Sequence, residues 1–307
     1  MLDSFGRQIR YLRVSVTDKC NLACAYCKPR PVPKLRHEDV MSIEQLVEVV
    51  EAFRTLGVDK VRVTGGEPLV RHGVVEFVRQ VAALGCNTVM TTNGTLLAGY
   101  AGALKEAGLK RVNISLDTLD DGIYREVTGG GNVNDVLDGV RAAEEVGFSL
   151  RLNAVLQKGV NDDIMPLVEF AEDVGAQMRF IELMPFRSTT DYFGRRFVPS
   201  AEVVEKYKMD FLCRDGNVEY YKFDGHTVGF ISPLGRKFCD SCDRMRLTST
   251  GQILPCLHSE KRFDVRPYLG NREQLTEFLR QCINEKPQAH RIEEGVLQSS
   301  DMGSIGG

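Results

Sequence analysis

From Tyr11 to about Met184, short β-branched runs alternate with longer stretches of helical period, and this rhythm constrains the fold more than any other feature of the chain. The strand candidates are Leu12–Thr17, Lys60–Thr64, Thr88–Thr92, Arg111–Leu116, Ser149–Leu156 and Met178–Leu183. Helical candidates lie near Ser42–Leu56, His72–Leu84, Leu97–Ala107, Asn134–Val146 and Asp162–Val174. Ser42 with Gln45 three residues on reads as a capping box, and Gly57, Gly85, Gly108, Gly147 and Gly175 stand where helices should stop. Consecutive βα units with short connections imply a parallel sheet with right-handed crossovers. Periodicity alone leaves an open doubly wound sheet and a partial (βα) barrel as alternatives.

The rhythm breaks after Pro185. Phe186–Phe197 reads as a loop, Pro199–Lys208 as a helix, Val218–Phe223 and Thr227–Ile231 as a hairpin around Asp224-Gly225, and Glu273–Ile283 as a last helix. The expected division is a unit over residues 1–190 and a smaller one over 191–307.

Net charge and segment character exclude several classes. With 39 Lys plus Arg against 42 Asp plus Glu, the chain cannot coat nucleic acid by bulk charge. No stretch approaches the roughly 18 apolar residues of a membrane span, and residues 1–13 lack the apolar core of a secretory signal. A cytoplasmic protein is expected, with no nucleic-acid or membrane partner. Of nine cysteines, six fall into two tight groups, Cys20/Cys24/Cys27 and Cys239/Cys242/Cys256. Grouped thiols in a reducing compartment point to metal rather than disulfides, while Cys86, Cys213 and Cys282 read as bystanders.

The first group follows the first strand, at the strand end where α/β folds carry their chemistry. On spacing alone, structural zinc and an iron-sulfur cluster are evenly matched. A closed zinc site wants four ligands, and the nearest candidate fourth, His37, is ten residues away. Three thiolates on a four-iron cluster leave one iron open to a ligand. Gly65-Gly66-Glu67-Pro68 ends the second strand, and its glycines admit a close backbone approach.

Cys-x3-Cys-x-Tyr-Cys after the first strand, with Gly-Gly-Glu-Pro after the second, resembles the radical S-adenosylmethionine enzymes. The resemblance implies a [4Fe-4S] cluster on Cys20, Cys24 and Cys27, with the open iron chelated by S-adenosylmethionine.

In the second group, Cys239 and Cys242 precede Cys256 by a longer gap; His258 could complete a zinc ribbon instead. Between the cysteines, the alternation of Arg244-Met245-Arg246 puts both guanidiniums on one face of a short strand. Standing alone such a pair reads as a solvated strand face; beside an open-iron cluster it suits an anionic, nitrogen-bearing ligand better than a structural staple.

Taken together, the segments from Arg10 to Gly307 are similar to the GTP 3′,8-cyclase family, the molybdenum cofactor biosynthesis protein A group within the radical S-adenosylmethionine superfamily. Carrying the likeness are Cys20–Cys27, Lys60–Arg71, Thr91-Thr-Asn-Gly94, Asn113–Thr118, Phe180–Met184, Cys239–Arg246, Cys256 and Gly306-Gly307. The resemblance implies an incomplete (βα)6 TIM-type barrel, closed by a smaller C-terminal domain with a second [4Fe-4S] cluster on Cys239, Cys242 and Cys256. It implies conversion of GTP to 3′,8-cyclo-7,8-dihydro-GTP through a 5′-deoxyadenosyl radical, the first step of molybdopterin synthesis. Tyr26, Gly66, Ser115 and Met184 would contact S-adenosylmethionine. Arg13, Lys60, Arg62, Thr91, Arg151, Arg244 and Arg246 would contact GTP. Arg244, Arg246 and the terminal Gly306 and Gly307 would serve catalysis. The family usually carries Lys at the position of Arg151, so the charge is kept and the fork geometry changes. Implied partners are a low-potential electron donor, a downstream cyclic pyranopterin monophosphate synthase and a second copy of the chain in a homodimer.

The substrate makes electrostatic sense. GTP brings about four negative charges to a chain of net charge -3, so a local cation cluster must reverse the field.

Overall fold

The computed structural model describes residues 1–27, 36–299 and 302–305. The side chain of His37 and the terminal Gly306 and Gly307 lie outside the described residues. The first part of the chain runs β1 (Tyr11–Ser15), α1 (Ile43–Thr55), β2 (Lys60–Thr64), α2 (Val74–Ala83), β3 (Asn87–Thr92), α3 (Ala101–Glu106), β4 (Arg111–Ser115), α4 (Asp121–Thr128), α5 (Val133–Glu145), β5 (Ser149–Leu156), α6 (Met165–Asp173) and β6 (Gln177–Glu182). The capping box forms as expected: Gln45 N donates to Ser42 Oγ at 3.2 Å, and Ser42 N to Gln45 Oε1 at 2.9 Å. From that start, α1 buries Leu46, Val49, Val50 and Phe53 on one face.

Strands β1 to β6 are all parallel and pair in sequence order. A doubly wound sheet reverses its order at a switch point; a sheet built always in one direction with right-handed crossovers curls toward a barrel. The barrel is incomplete. Its two free edges, β1 and β6, are each taken by a parallel strand from the later part of the chain.

That part comprises α7 (Thr190–Arg196), α8 (Ser200–Lys206), β7 (Asp210–Asp215), β8 (Val218–Phe223), β9 (His226–Ile231), β10 (Arg244–Leu247), β11 (Gln252–Leu254), β12 (Phe263–Asp264) and α9 (Arg272–Asn284). The resulting order is β12-β11-β10-β1-β2-β3-β4-β5-β6-β9-β8-β7, one continuous sheet. The β8–β9 turn has φ of 46° at Asp224 and 88° at Gly225, the paired left-handed residues a two-residue hairpin favours.

Phe186–Phe197 is a correction. It is not a loop: a turn at Arg187–Thr189 runs into α7, and Phe193 packs on Phe197 with ring centroids 4.7 Å apart. No residue of α7 is buried, so the helix has no apolar stripe for a sequence to display.

Along the barrel strands, Leu12, Val14, Val61, Val63, Val112, Ile114, Leu152 and Phe180 are fully buried against the helical layer. The alternate positions face inward, and most of them are polar, Val89, Val155 and Ile181 being exceptions. Closed (βα) barrels fill this space with branched apolar side chains. Here it is a cavity.

Candidate active site

The cavity has a volume of about 550 Å³, within the range of small-molecule sites, and both cysteine triads line it. All nine cysteines are free thiols. The loop carrying Cys20, Cys24 and Cys27 is fastened to the end of α4, with Ala23 N on Thr128 O and Ala25 N on Val127 O, both at 2.9 Å. Gly66 N donates to Thr17 O and Glu67 N to Lys19 O, each at 2.8 Å. A Cβ on Gly66 would stand 2.4 Å from Lys19 O, and one on Gly65 2.7 Å from Thr17 O. The Gly-Gly pair therefore serves first to let β2 close on the backbone leading into Cys20.

Tyr26 donates to Asp117 Oδ2 at 2.8 Å, and Asp117 Oδ1 accepts from Val155 N at 2.8 Å, tying the cysteine loop to the ends of β4 and β5. Burial pushes the Asp117 carboxyl up to about 6 against the pull of those two donors. The same burial, then Asp117 and Cys24, raises the Tyr26 phenol. Gly66, Ser115 and Met184 line the cavity on the same side as the first triad's strand ends.

Do the thiols fit an iron-sulfur cluster? Zinc sits about 2.3 Å from each of its sulfurs and draws them close together. Among the described residues, no three His, Cys, Asp or Glu side chains converge as they would around a single ion. A cube of four irons spans a wider set of thiols, and the cavity gives its open corner room. Burial, then the neighbouring thiol of Cys27, raises the Cys24 thiol well above its ordinary range, so metal is what would ionise it. His258, the alternative zinc ligand, packs between Phe186 and His290 at centroid distances of 5.8 and 5.4 Å. Burial, then His290 and Arg246, holds it down at about 3.

The cations are placed by register. Arg246, Arg13 and Arg62 are neighbours across β10, β1 and β2, and Arg244, Tyr11 and Lys60 form the next row. Arg62 donates through Nε to the Tyr11 hydroxyl and through Nη1 to Thr91 Oγ1 at 2.6 Å. Arg151 reaches the cavity from β5, while Arg244 Nη2 donates to Asn217 Oδ1 at 2.5 Å. Burial, then like-charged neighbours, depresses the crowded guanidiniums: Arg13 falls well below its ordinary range. Arg246 falls to about 10, burial prevailing over the pull of Cys256. Such a cluster is poised for a polyanion.

The structure thus gathers every described site residue into one cavity. Gly306 and Gly307 lie outside the described residues; just before them Met302 and Gly303 line the cavity, Ile305 is fully buried, and Arg246 Nη1 donates to Ile305 O at 3.4 Å. Sequence reasoning missed Tyr11, Asn113, Asn153, Asp117, Arg179 and Lys286. Arg179, on β6, has its guanidinium held by Gln177 Oε1 at 2.7 Å and by Tyr220. The signal was strand parity: Tyr11 shares a face with Arg13, Asn113 with Ser115, and Asn153 with Arg151.

Comparison with known proteins agrees. Residues 14–171 match the Radical SAM superfamily, and residues 176–292 match Molybdenum Cofactor Synthesis C. The GTP 3′,8-cyclase of Peptoclostridium acidaminophilum is 44% identical, covering 100% of this chain and 98% of the relative. The chain belongs to the GTP 3′,8-cyclase family. A second such enzyme, from Alkaliphilus oremlandii, is 41% identical over the full length of both chains. Streptococcus suis SuiB bound to S-adenosylmethionine shares the fold, with a TM-score of 0.65 at 15% identity over 97% of this chain and 78% of that one. The radical S-adenosylmethionine barrel expected from the motifs is borne out, and among the described residues no helix is long and apolar enough to cross a membrane.

Proposed function

We propose the division of labour among this chain's residues for the activity its family carries, conversion of GTP to 3′,8-cyclo-7,8-dihydro-GTP at the first step of molybdenum cofactor synthesis. The observation that carries the reading is a cation-lined cavity whose wall includes both thiol triads. When bound, the cluster on Cys20, Cys24 and Cys27 together with S-adenosylmethionine supplies a 5′-deoxyadenosyl radical able to take hydrogen from C3′ of GTP. Tyr26, Gly66, Ser115 and Met184 hold the cofactor against the first triad. Arg13, Lys60, Arg62, Thr91 and Arg151 hold the substrate, and Arg179 joins them from β6, the neighbour of the Arg151 strand. Arg244 and Arg246 orient it at the second cluster, on Cys239, Cys242 and Cys256.

Positioning is most of what these residues contribute. Charge-assisted hydrogen bonds are worth about 1.5–3 kcal/mol each, so six cations supply roughly 9–18 kcal/mol, a range that covers the roughly 12 kcal/mol needed for micromolar binding when association costs about 4. The enclosing walls keep water from a reactive centre. Gly306 and Gly307 lie one and two residues beyond the buried Ile305, and without side chains they can thread beside the substrate. We divide the chain at 190/191 into the barrel unit and the unit carrying the second triad. The reaction belongs in the cytoplasm, drawing on a low-potential electron donor and passing product to cyclic pyranopterin monophosphate synthase; the chain works as a homodimer. Free thiols throughout support the reducing compartment.

The test is an anaerobic incubation with GTP and S-adenosylmethionine. The expected products are 5′-deoxyadenosine and a cyclised nucleotide in step with one another. Cofactor cleavage indifferent to GTP overturns the assignment.

A further inference from the structure

Lys286 follows α9 and is 3% exposed. Its ammonium donates to Arg244 O and to Pro255 O, both at 2.7 Å, and its charge bears on the neighbouring Cys242 thiol. Those acceptors belong to the segments that carry Cys242 and Cys256. The third cysteine segment is held by another buried cation: Arg7 Nη1 donates to Cys239 O at 2.9 Å. The two cations differ in charge balance. Arg7 is paired with Asp3 at 2.7 Å, whereas among the described residues Lys286 forms no ion pair with a carboxylate. A buried charge without a partner costs several kcal/mol, so its counter-charge must lie close by.

The surroundings of the two triads are unlike. Each triad crowds its own thiols together; beyond them, the carboxyl of Asp117 stands beside Cys24, whereas Lys286 and Arg244 stand beside Cys242. Cluster potential follows local charge and hydrogen bonds to sulfur, and each added electron makes the cluster more negative. A neighbouring ammonium therefore favours the reduced state.

We propose that Lys286 is the counter-ion of the second cluster, a positioning residue that ties its Cys242 and Cys256 segments together and raises its reduction potential above that of the first. The inference rests on the assignment of Cys239, Cys242 and Cys256 to a cluster.

The experiment is an EPR-monitored redox titration with iron analysis on anaerobically prepared holoenzyme. It is run for the unaltered chain, Lys286→Gln and Lys286→Arg, and repeated with Cys20, Cys24 and Cys27 all changed to Ala so that the second cluster is read alone. Lys286→Gln removes the charge and keeps a donor. The expected result is a midpoint moved to more negative potential at the second cluster only, with Lys286→Arg staying near the unaltered value. Selective loss of the second cluster in Lys286→Gln, from about eight irons per chain to about four, with recovery in Lys286→Arg, supports the same role. An unmoved midpoint at full iron content overturns the proposal and leaves the cluster assignment standing. So does loss of both clusters together in both variants, which marks Lys286 as a general core cation. An unaltered chain with iron at the first triad alone overturns the assignment itself and the proposal with it.

Discussion

Arg13 on β1 and Arg246 on β10 are direct partners across a parallel ladder. Like charges opposite one another destabilise a sheet, and both guanidiniums are depressed chiefly by burial, with Arg246 adding to the shift at Arg13 and Arg244 to that at Arg246. The arrangement is costly until an anion arrives. Replacing Arg13 with Gln is therefore expected to raise the unfolding midpoint of the GTP-free holoenzyme by roughly 1–2 °C, about 1 kcal/mol at this size. The same change should lower kcat/KM for GTP by about 10- to 150-fold, the worth of one charge-assisted hydrogen bond. Thermal melts with and without GTP read both effects; a variant less stable than the parent in both conditions refutes the argument.

Tyr11 sits inside the same cluster, with Lys60 Nζ 4.4 Å from its ring centroid. Burial alone would raise its phenol, but Arg62, Arg13, Lys60 and Arg244 together prevail and bring it down to about 8. Above that pH a phenolate neutralises part of the cation cluster, so GTP binds chiefly to the protonated form. KM for GTP should climb about fivefold between pH 8 and 9. In Tyr11→Phe the climb should vanish, leaving a pH-independent offset from the lost contact to Arg62. Persistence of the same pH dependence in the Phe variant would place the titrating group elsewhere.

How much of this was legible beforehand follows from what each residue's neighbours demand. The barrel strands announce themselves because Leu12, Val14, Val61 and Val63 must be buried, and the cysteine triads because their spacing is chemical. What stayed hidden depends on pairing between distant segments. Arg244-Met245-Arg246 reads as a short strand, but nothing in those residues says that it docks on β1 and brings Arg246 beside Arg13. β7 is exposed at every position and offers no pattern at all. Lys286, in a stretch that reads as an ordinary helix exit, owes its importance to two carbonyls 42 and 31 residues away.

The Gly66 backbone sets the limit on how the first triad can be altered. Its missing Cβ leaves room for Lys19 O, which would lie 2.4 Å from an added methyl group, and both partners in the clash are backbone. Gly66→Ala must push the Thr17–Cys20 segment away from β2. The expected outcome is a folded protein with about four irons per chain in place of about eight, the second cluster intact, and no cleavage of S-adenosylmethionine. Iron analysis with EPR of the reduced protein checks it; a full complement of iron with normal cofactor cleavage would show that the loop yields cheaply.

Glu67, the next residue, is fully buried and accepts from Leu69 N at 3.0 Å, Thr92 Oγ1 at 2.7 Å and Asn93 N at 2.7 Å. Burial outweighs these three donors and pushes its carboxyl up to about 7. Between about pH 4.5 and 7 the folded chain therefore retains a proton that the unfolded chain has released. The contribution of this group is fully present below the lower value and is lost as pH rises through the upper one, the reverse of a salt-bridged carboxylate. Over the whole window the loss is on the order of 3 kcal/mol, from about 1.4 kcal/mol per pH unit. Denaturant unfolding of the anaerobic protein should give a stability that declines from pH 5 to pH 8. In Glu67→Gln that decline should flatten, at a lower overall stability because the amide group turns a donor toward Asn93 N. A variant that keeps the parent's slope would mean that Glu67 is ionised throughout and that its three donors overcome burial.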